Sequence, residues 1–213
     1  MDVIVVNEQN VSMTTGIGTN ATFVGHKAPT TGAGLRNGSI LILNDYTGDG
    51  NYFDLGNHSQ SCTDDFELCA NGFTMMLWFN LSRHSDRWPS IFNSSRYQCT
   101  AFTGSSTEFF LVCGIYDPKQ QKIAYFRKDA LTYDWHLFTL TYSDGNGVRV
   151  YVDGCPTKLN RVKDRIITGA KNLQLGCSYN GHCAHIQYDD LFIWHEEKSS
   201  RFIWQFFHDY KST

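Results

Sequence analysis

A chain of 213 residues, 41% hydrophobic and 15% aromatic, is long enough to bury a full core. Domains of this size hide roughly 70% of their unfolded surface, so stability need not rest on disulfides alone. A formal net charge of −3 with 18% charged residues gives no basic footprint for a nucleic-acid partner and no polybasic membrane patch. No apolar run approaches the ~20 residues that span a bilayer, and the opening MDVIVVNEQN lacks the basic and hydrophobic regions of a signal peptide, so it reads as the start of a processed or excised piece.

In chain order, residues 1–34 read as a Gly/Ser/Thr/Asn-rich N-terminal arm, with Val3-Ile4-Val5-Val6 as a candidate first strand. At a terminus such a strand closes its own sheet or adds to a neighbour's edge. Residues 39–43 (SILIL) and 52–56 (YFDLG) are strands separated by the Gly48-Asp49-Gly50-Asn51 turn. Residues 73–81 alternate Phe73, Met75, Leu77, Phe79 and Leu81 against Thr74, Met76, Trp78 and Asn80. Asn80 lies in a glycosylation sequence, and a glycan cannot enter a core, so the Phe/Leu side is expected to face inward. Met76 and Trp78 then fall on the outer face, either beneath a covering segment or on a contact surface.

Residues 83–97 read as loop, with Ile91-Phe92 a short apolar piece, and 98–102 pairs with 108–116 across 103–107. Residues 122–128 form a strand with basic ends. The strongest local signal is 135–154, WHLFTLTYSDGNGVRVYVDG: two alternating strands around small residues able to take φ > 0, closed by Asp153-Gly154. Residues 172–176 and 185–194 complete the strands, and 199–207 has a Ser N-cap candidate and apolar i, i+4 spacing, as a short helix or buried turn requires.

The compartment follows from two patterns. Asn-x-Ser/Thr occurs at Asn10, Asn20, Asn37, Asn57, Asn80 and Asn93, whereas 14 Asn and 34 Ser or Thr yield roughly two by chance. Six of the seven cysteines fall in local pairs, Cys62 with Cys69, Cys99 with Cys113 and Cys177 with Cys183, although six cysteines admit 15 pairings. Cys155 is left over and is expected to bond to a partner chain or stay free. Both patterns point to an extracellular protein, secreted or an ectodomain.

Strands parted by Gly/Asn/Asp turns, with almost no helix, give an all-β, antiparallel two-sheet β-sandwich. The Trp-led hairpin ending Y-V-D-G, the G-F-T-M-M-L-W-F strand, Leu173-x-Leu175-Gly176 and the late strand Asp189-Asp190-Leu191-Phe192-Ile193-Trp194 together resemble the laminin-G-like and pentraxin-like jelly rolls of the concanavalin A-like fold. The resemblance covers roughly residues 35–207 and places the domain at 35–213. It implies lectins, adhesion modules, hydrolases or passive spacers.

The carboxylate pattern of the fold's glycan hydrolases is missing, although a Ser-His-Asp or Cys-His site leaves no such local mark: no E-x-D-x-x-E run joins Glu8, Glu67, Glu108, Glu196 and Glu197, and Asp189 and Asp190, adjacent on a strand, are expected to point to opposite faces. The crowded Cys177, His182, Cys183 and His185 could suggest zinc, but a disulfide with two loop histidines is the simpler account. The resemblance implies calcium at the sandwich rim, and Asp45, Asp49, Asn51, Asp144 and Asn146 sit in turns that could supply its oxygen ligands, although turn chemistry alone also explains them.

Two functions follow as expectations. The first is a non-enzymatic extracellular recognition module for a glycan or protein ligand, with Trp78, Trp88 and Tyr97 among the aromatics that could stack on sugars or belong to the core. The second is a structural, self-associating glycosylated subunit of a matrix, filament or cell-surface protein, joined through the N-terminal strand or Cys155. All six sequons precede residue 94, which directs any large contact to the later half of the chain.

Overall fold

The computed structural model describes the strand segments at 2–3, 5–7, 10–14, 20–24, 30–32 and 39–42 and, from residue 50 to 211, all residues except 58–61, 64, 83–87, 95, 104, 118–121, 164–171, 178–182 and 184. The strands are β1 (Asp2–Val3), β2 (Val5–Asn7), β3 (Asn10–Thr14), β4 (Asn20–Val24), β5 (Thr30–Gly32), β6 (Ser39–Ile42), β7 (Tyr52–Asn57), β8 (Phe73–Leu81) and β9 (Ser90–Asn93). They continue as β10 (Tyr97–Thr103), β11 (Glu108–Asp117), β12 (Lys122–Thr132), β13 (Trp135–Ser143), β14 (Gly147–Val152), β15 (Cys155–Pro156), β16 (Lys158–Lys163), β17 (Asn172–Leu175) and β18 (Ile186–Trp194), followed by helix α1 (Ser200–Lys211).

An eight-stranded sheet runs β15-β14-β13-β8-β18-β6-β5, with β1 also on β18, and a ten-stranded sheet runs β16-β12-β11-β10-β9-β17-β7-β4-β3-β2. The candidate first strand divides: Val3 pairs with Phe192 in one sheet, and Val5 pairs with Thr14 in the other. The N-terminal strand is thus taken up by its own chain, not left as a donor for a neighbour. The arm set apart in the sequence contributes β1–β5 to both sheets.

The main core lies between the sheets. Phe73, Met75, Leu77, Phe79 and Leu81 of β8 point into it, with Phe138 and Leu140 of β13 and Phe92, Ala101 and Leu111 from the opposite sheet. The alternation in β8 therefore decides which side is inside, as period-2 geometry requires. Cys99 and Cys113, directly opposite in the β10–β11 register, close a disulfide within this core. Cys62–Cys69 brackets a 3-10 turn at Phe66–Leu68 that sets the Phe66 ring 5.2 Å from Tyr142 and 5.4 Å from Phe73. Cys177–Cys183 joins a strand end to a loop.

A second apolar layer covers the far side of the eight-stranded sheet. Met76, Trp78, Leu137, Tyr151, Phe192 and Trp194 face outward and are buried by Ile203 and Tyr210 of α1, with Phe202, Phe206 and Phe207 packed against them. The cover over Trp78 is therefore a helix: its ring lies 5.2 Å from Tyr210 and 5.7 Å from Phe207. Ser199 caps α1, its hydroxyl accepting from the Phe202 N–H at 3.2 Å. The helix approaches closely because Asp153 (φ 55°) and Gly154 (φ 73°) form the left-handed turn between β14 and β15. A Cβ on Gly154 would lie 3.1 Å from the Trp204 Cα. Asp153 also accepts from the Leu137 N–H at 3.0 Å and lies 2.7 Å from Nδ1 of buried His136.

Among the described residues, no helix is long and apolar enough to cross a membrane.

A candidate recognition face

The outward side of β10, β11 and β12 carries aromatic rings that the core does not use. Register fixes the row. Cys99 opposite Cys113 and Ala101 opposite Leu111 point inward, so Phe102 and its partner Phe110 point out. These two rings stack at 4.9 Å with 1° between their planes. Trp88, 51% exposed, lies 5.3 Å from Phe102 at one end. At the other end the Arg127 guanidinium sits 4.4 Å over Phe110, its Nε 2.6 Å from Asp129. Beside this row Arg96 lies 4.8 Å over Tyr116, and Arg161 of β16 lies 4.8 Å over Tyr125. The face thus offers apolar ring surface and oriented guanidinium donors, a pairing suited to a ligand with both carbon–hydrogen faces and hydroxyl or carboxylate groups.

Sequence reasoning named only Trp88 of this row. The other two aromatics it singled out are fully buried, Trp78 beneath α1 and Tyr97 in the core with its hydroxyl donating to the Thr63 carbonyl at 2.9 Å. Phe102, Phe110 and Arg127 carried only the ordinary alternation of strand residues, and their alignment emerges only once the strands are paired.

The proposed calcium ligands do not converge among the described residues. Asn51 is fully buried at the start of β7, and Asp144 and Asn146 are exposed in the β13–β14 loop. Asp144 accepts from the Tyr142 hydroxyl at 2.9 Å, and the Asn146 amide donates to Glu197 at 2.8 Å and accepts from Arg149 at 2.8 Å. Asp45 and Asp49 lie outside the described residues, and no group of three or more His, Cys, Asp or Glu suited to a metal occurs among the described ones.

Of the sequons, Asn37 lies outside the described residues, Asn10 and Asn20 begin β3 and β4, and Asn57 ends β7. Asn80 is half-buried at the outer end of β8. Asn93 requires a correction: it is 0% exposed on β9, between Gln98 and Gln174, with neither amide atom hydrogen-bonded, and the folded domain has no room there for a glycan. Cys155 is free and exposed, whereas the other six cysteines form the three local disulfides.

Asp189 and Asp190 also differ from expectation. A bulge between Asp189 and Leu191, with Asp190 at φ 26°, breaks the alternation. Asp189 stands opposite Trp78 on the helix side, and Asp190 accepts a hydrogen bond from Tyr210 of α1. Both carboxylates face the helix layer and neither faces the aromatic row.

A family model described as the concanavalin A-like lectin/glucanases superfamily matches residues 47–203. The chain belongs to this superfamily. Solved structures carry the same architecture. The receptor-binding domain of botulinum neurotoxin type G superposes with a TM-score of 0.61 at 12% identity, over 95% of this chain and 49% of that one. The binding domain of botulinum neurotoxin DC in complex with SialylT gives 0.60 at 13% identity, over 99% and 50%. The same domain in complex with rat synaptotagmin II gives 0.62 at 13% identity, over 98% and 51%. The chain therefore spans about half the length of these structures, and at such identities the likeness carries the concanavalin A-like fold alone. No curated protein matches the sequence.

Proposed function

We propose that this concanavalin A-like domain is a non-enzymatic extracellular recognition module that binds a glycan on the outward face of its ten-stranded sheet. The observation that carries the reading is the row Trp88–Phe102–Phe110–Arg127, surface rings ending in an oriented guanidinium. Three disulfides support an oxidising compartment. Neurotoxin binding domains of the same fold, solved with SialylT and with synaptotagmin II, make glycan and protein ligands the natural classes to screen. A non-catalytic role is supported by the acids: Asp189 and Asp190 lie against α1, Glu196 pairs with Lys198, and Glu197 bonds Asn146.

A glycan array read with the purified domain tests the proposal, with Trp88→Ala and Arg127→Gln as variants. Specific binding by a monomer, weakened about tenfold or more in each variant at unchanged melting temperature, is the expected result. A bound sugar indifferent to both substitutions would remove this face from consideration. Calcium belongs to the proposal through the Asp144–Asn146 loop, and its check is a rise in melting temperature at millimolar calcium.

The second reading, a self-associating structural subunit, is favoured by Cys155, free and exposed on the last strand of the eight-stranded sheet. It predicts ordered oligomers without any ligand and a disulfide from Cys155 to another chain.

A further inference from the structure

The two sheets do not end together. On one side of the sandwich β14 lies over β11 and β12, and only the two-residue β15 follows it, pairing Tyr151 with Pro156 and Val152 with Cys155. The opposite sheet continues one full strand further, to β16. Among the described residues, Gly147, Val148 and Arg149 of β14 pair with β13 on one side and with no strand on the other.

What faces this step is apolar. Leu159 pairs with Phe126 and Val162 with Ala124, so both share the inward side of the sheet with core residues. Yet Leu159 is 53% exposed and Val162 38%. A groove of about 680 Å³ runs between the edges, lined by Val148 and Val150 of β14, Ala124 and Phe126 of β12, and Leu159. Pro156 and Thr157 line it where the chain crosses between sheets, and Asp117, Asn146 and Gly147 line it toward the hairpin loop. Among the described residues, an open strand edge, inward-facing side chains without an opposing layer, and a volume in the range of small-ligand and short-peptide sites together have the shape of an absent strand.

Charge gives the occupant its composition. Of the charged residues among the described ones that line the groove, Asp117 is buried and Arg149 is exposed. Arg149 of β14, exposed, stands opposite outward-facing Thr141 of β13, so a strand added beyond β14 would set alternate residues beside it. The remaining residues of such a strand would turn inward onto Leu159 and Val162.

We propose that this groove is a strand-addition site for an extended peptide of a partner protein in which apolar residues alternate with acidic ones. The apolar set covers Leu159 and Val162 and completes the layer opposite β16, the acidic set meets Arg149, and main-chain bonds to β14 supply affinity independent of sequence. The site is separate from the aromatic row and does not depend on the glycan reading.

The test uses the full chain and a fluorescent nonapeptide alternating Val and Glu, with three comparisons: Val and Lys alternating, the Val/Glu peptide with alternate amides N-methylated, and the Val/Glu composition scrambled. Wild type is expected to bind the alternating Val/Glu peptide at least about tenfold tighter than each of the three. Leu159→Asp, at an exposed position where the fold persists, should weaken it by a similar factor, and Arg149→Glu should reverse the preference between Glu and Lys peptides. Equal binding of the N-methylated peptide, indifference to Leu159→Asp, or no binding up to about 1 mM would overturn the proposal. So would a dimer that Leu159→Asp turns into a monomer, because the occupant would then be a second copy of the chain.

Discussion

Tyr188 is buried on β18, its hydroxyl donating to the Ile91 carbonyl, and burial pushes its phenol well above the ordinary tyrosine range despite the Gly176 backbone hydrogen bond, which acts the other way. A group whose folded pKa is raised gives stability that is fully present below the unfolded value, near ~10, and lost as pH rises through the folded one. Resistance to urea is therefore expected to weaken above about pH 10. Absorbance at 295 nm should show one of the 11 tyrosines ionising only as the domain unfolds. Tyr188→Phe removes that late step and costs about 1 kcal/mol through the lost hydrogen bond. Asn93 makes the other residue-scale prediction. Buried with both amide atoms unbonded, it should be recovered unmodified by peptide mapping of protein secreted from a glycosylating host, even where Asn80 is occupied. A glycan at Asn93 would mean that β9 does not pack as described.

At the scale of elements, the most testable contact is the docking of α1 on the β14–β15 turn. Gly154→Ala puts a Cβ against the Trp204 backbone at φ 73°, and it is expected to cost about 1–3 kcal/mol in urea unfolding. Ile203→Ala, at a fully buried helix position, should cost about 2–5 kcal/mol and red-shift tryptophan emission as Trp78 meets solvent. The hairpin β13–β14 and the helix were both legible in the sequence, because turn glycines, strand alternation and a Ser N-cap are local signals. Strand β16 was not: KLNRVK lies at an edge with its described side chains exposed, so no alternation marks it. The bulge at Asp190 was hidden for a related reason, since two adjacent aspartates look the same in a regular strand and in a kinked one. The aromatic row depends on which residue of β10 meets which of β11, and that register is tertiary information.

For the molecule as a whole, the sandwich rests on two apolar layers, with the disulfides as local clamps. The bridges close spans of 7, 14 and 6 residues, each contributing about 2–3 kcal/mol in the chain-entropy view. Reduction should lower the urea midpoint in steps that follow thiol exposure, and the far-ultraviolet circular dichroism of a β protein should persist at low denaturant. Loss of all β signal on mild reduction would place the bridges, not the layers, at the centre of stability. Peptide mapping under non-reducing conditions decides the state of Cys155, and a link from it to one of the other six cysteines would contradict the three local pairs.

Helix α1 follows every described strand in chain order, yet among the described residues it is the element that covers the outward side of β8, β13 and β18. During synthesis the sheet can therefore pair its strands before the segment that shields Met76, Trp78 and Phe192 has left the ribosome. For that interval the nascent chain presents a wide aromatic surface, the kind that holdase chaperones bind and that drives aggregation when they are scarce. Secretion yield should accordingly respond more sharply to lesions in these last twelve helical residues than to changes in earlier loops.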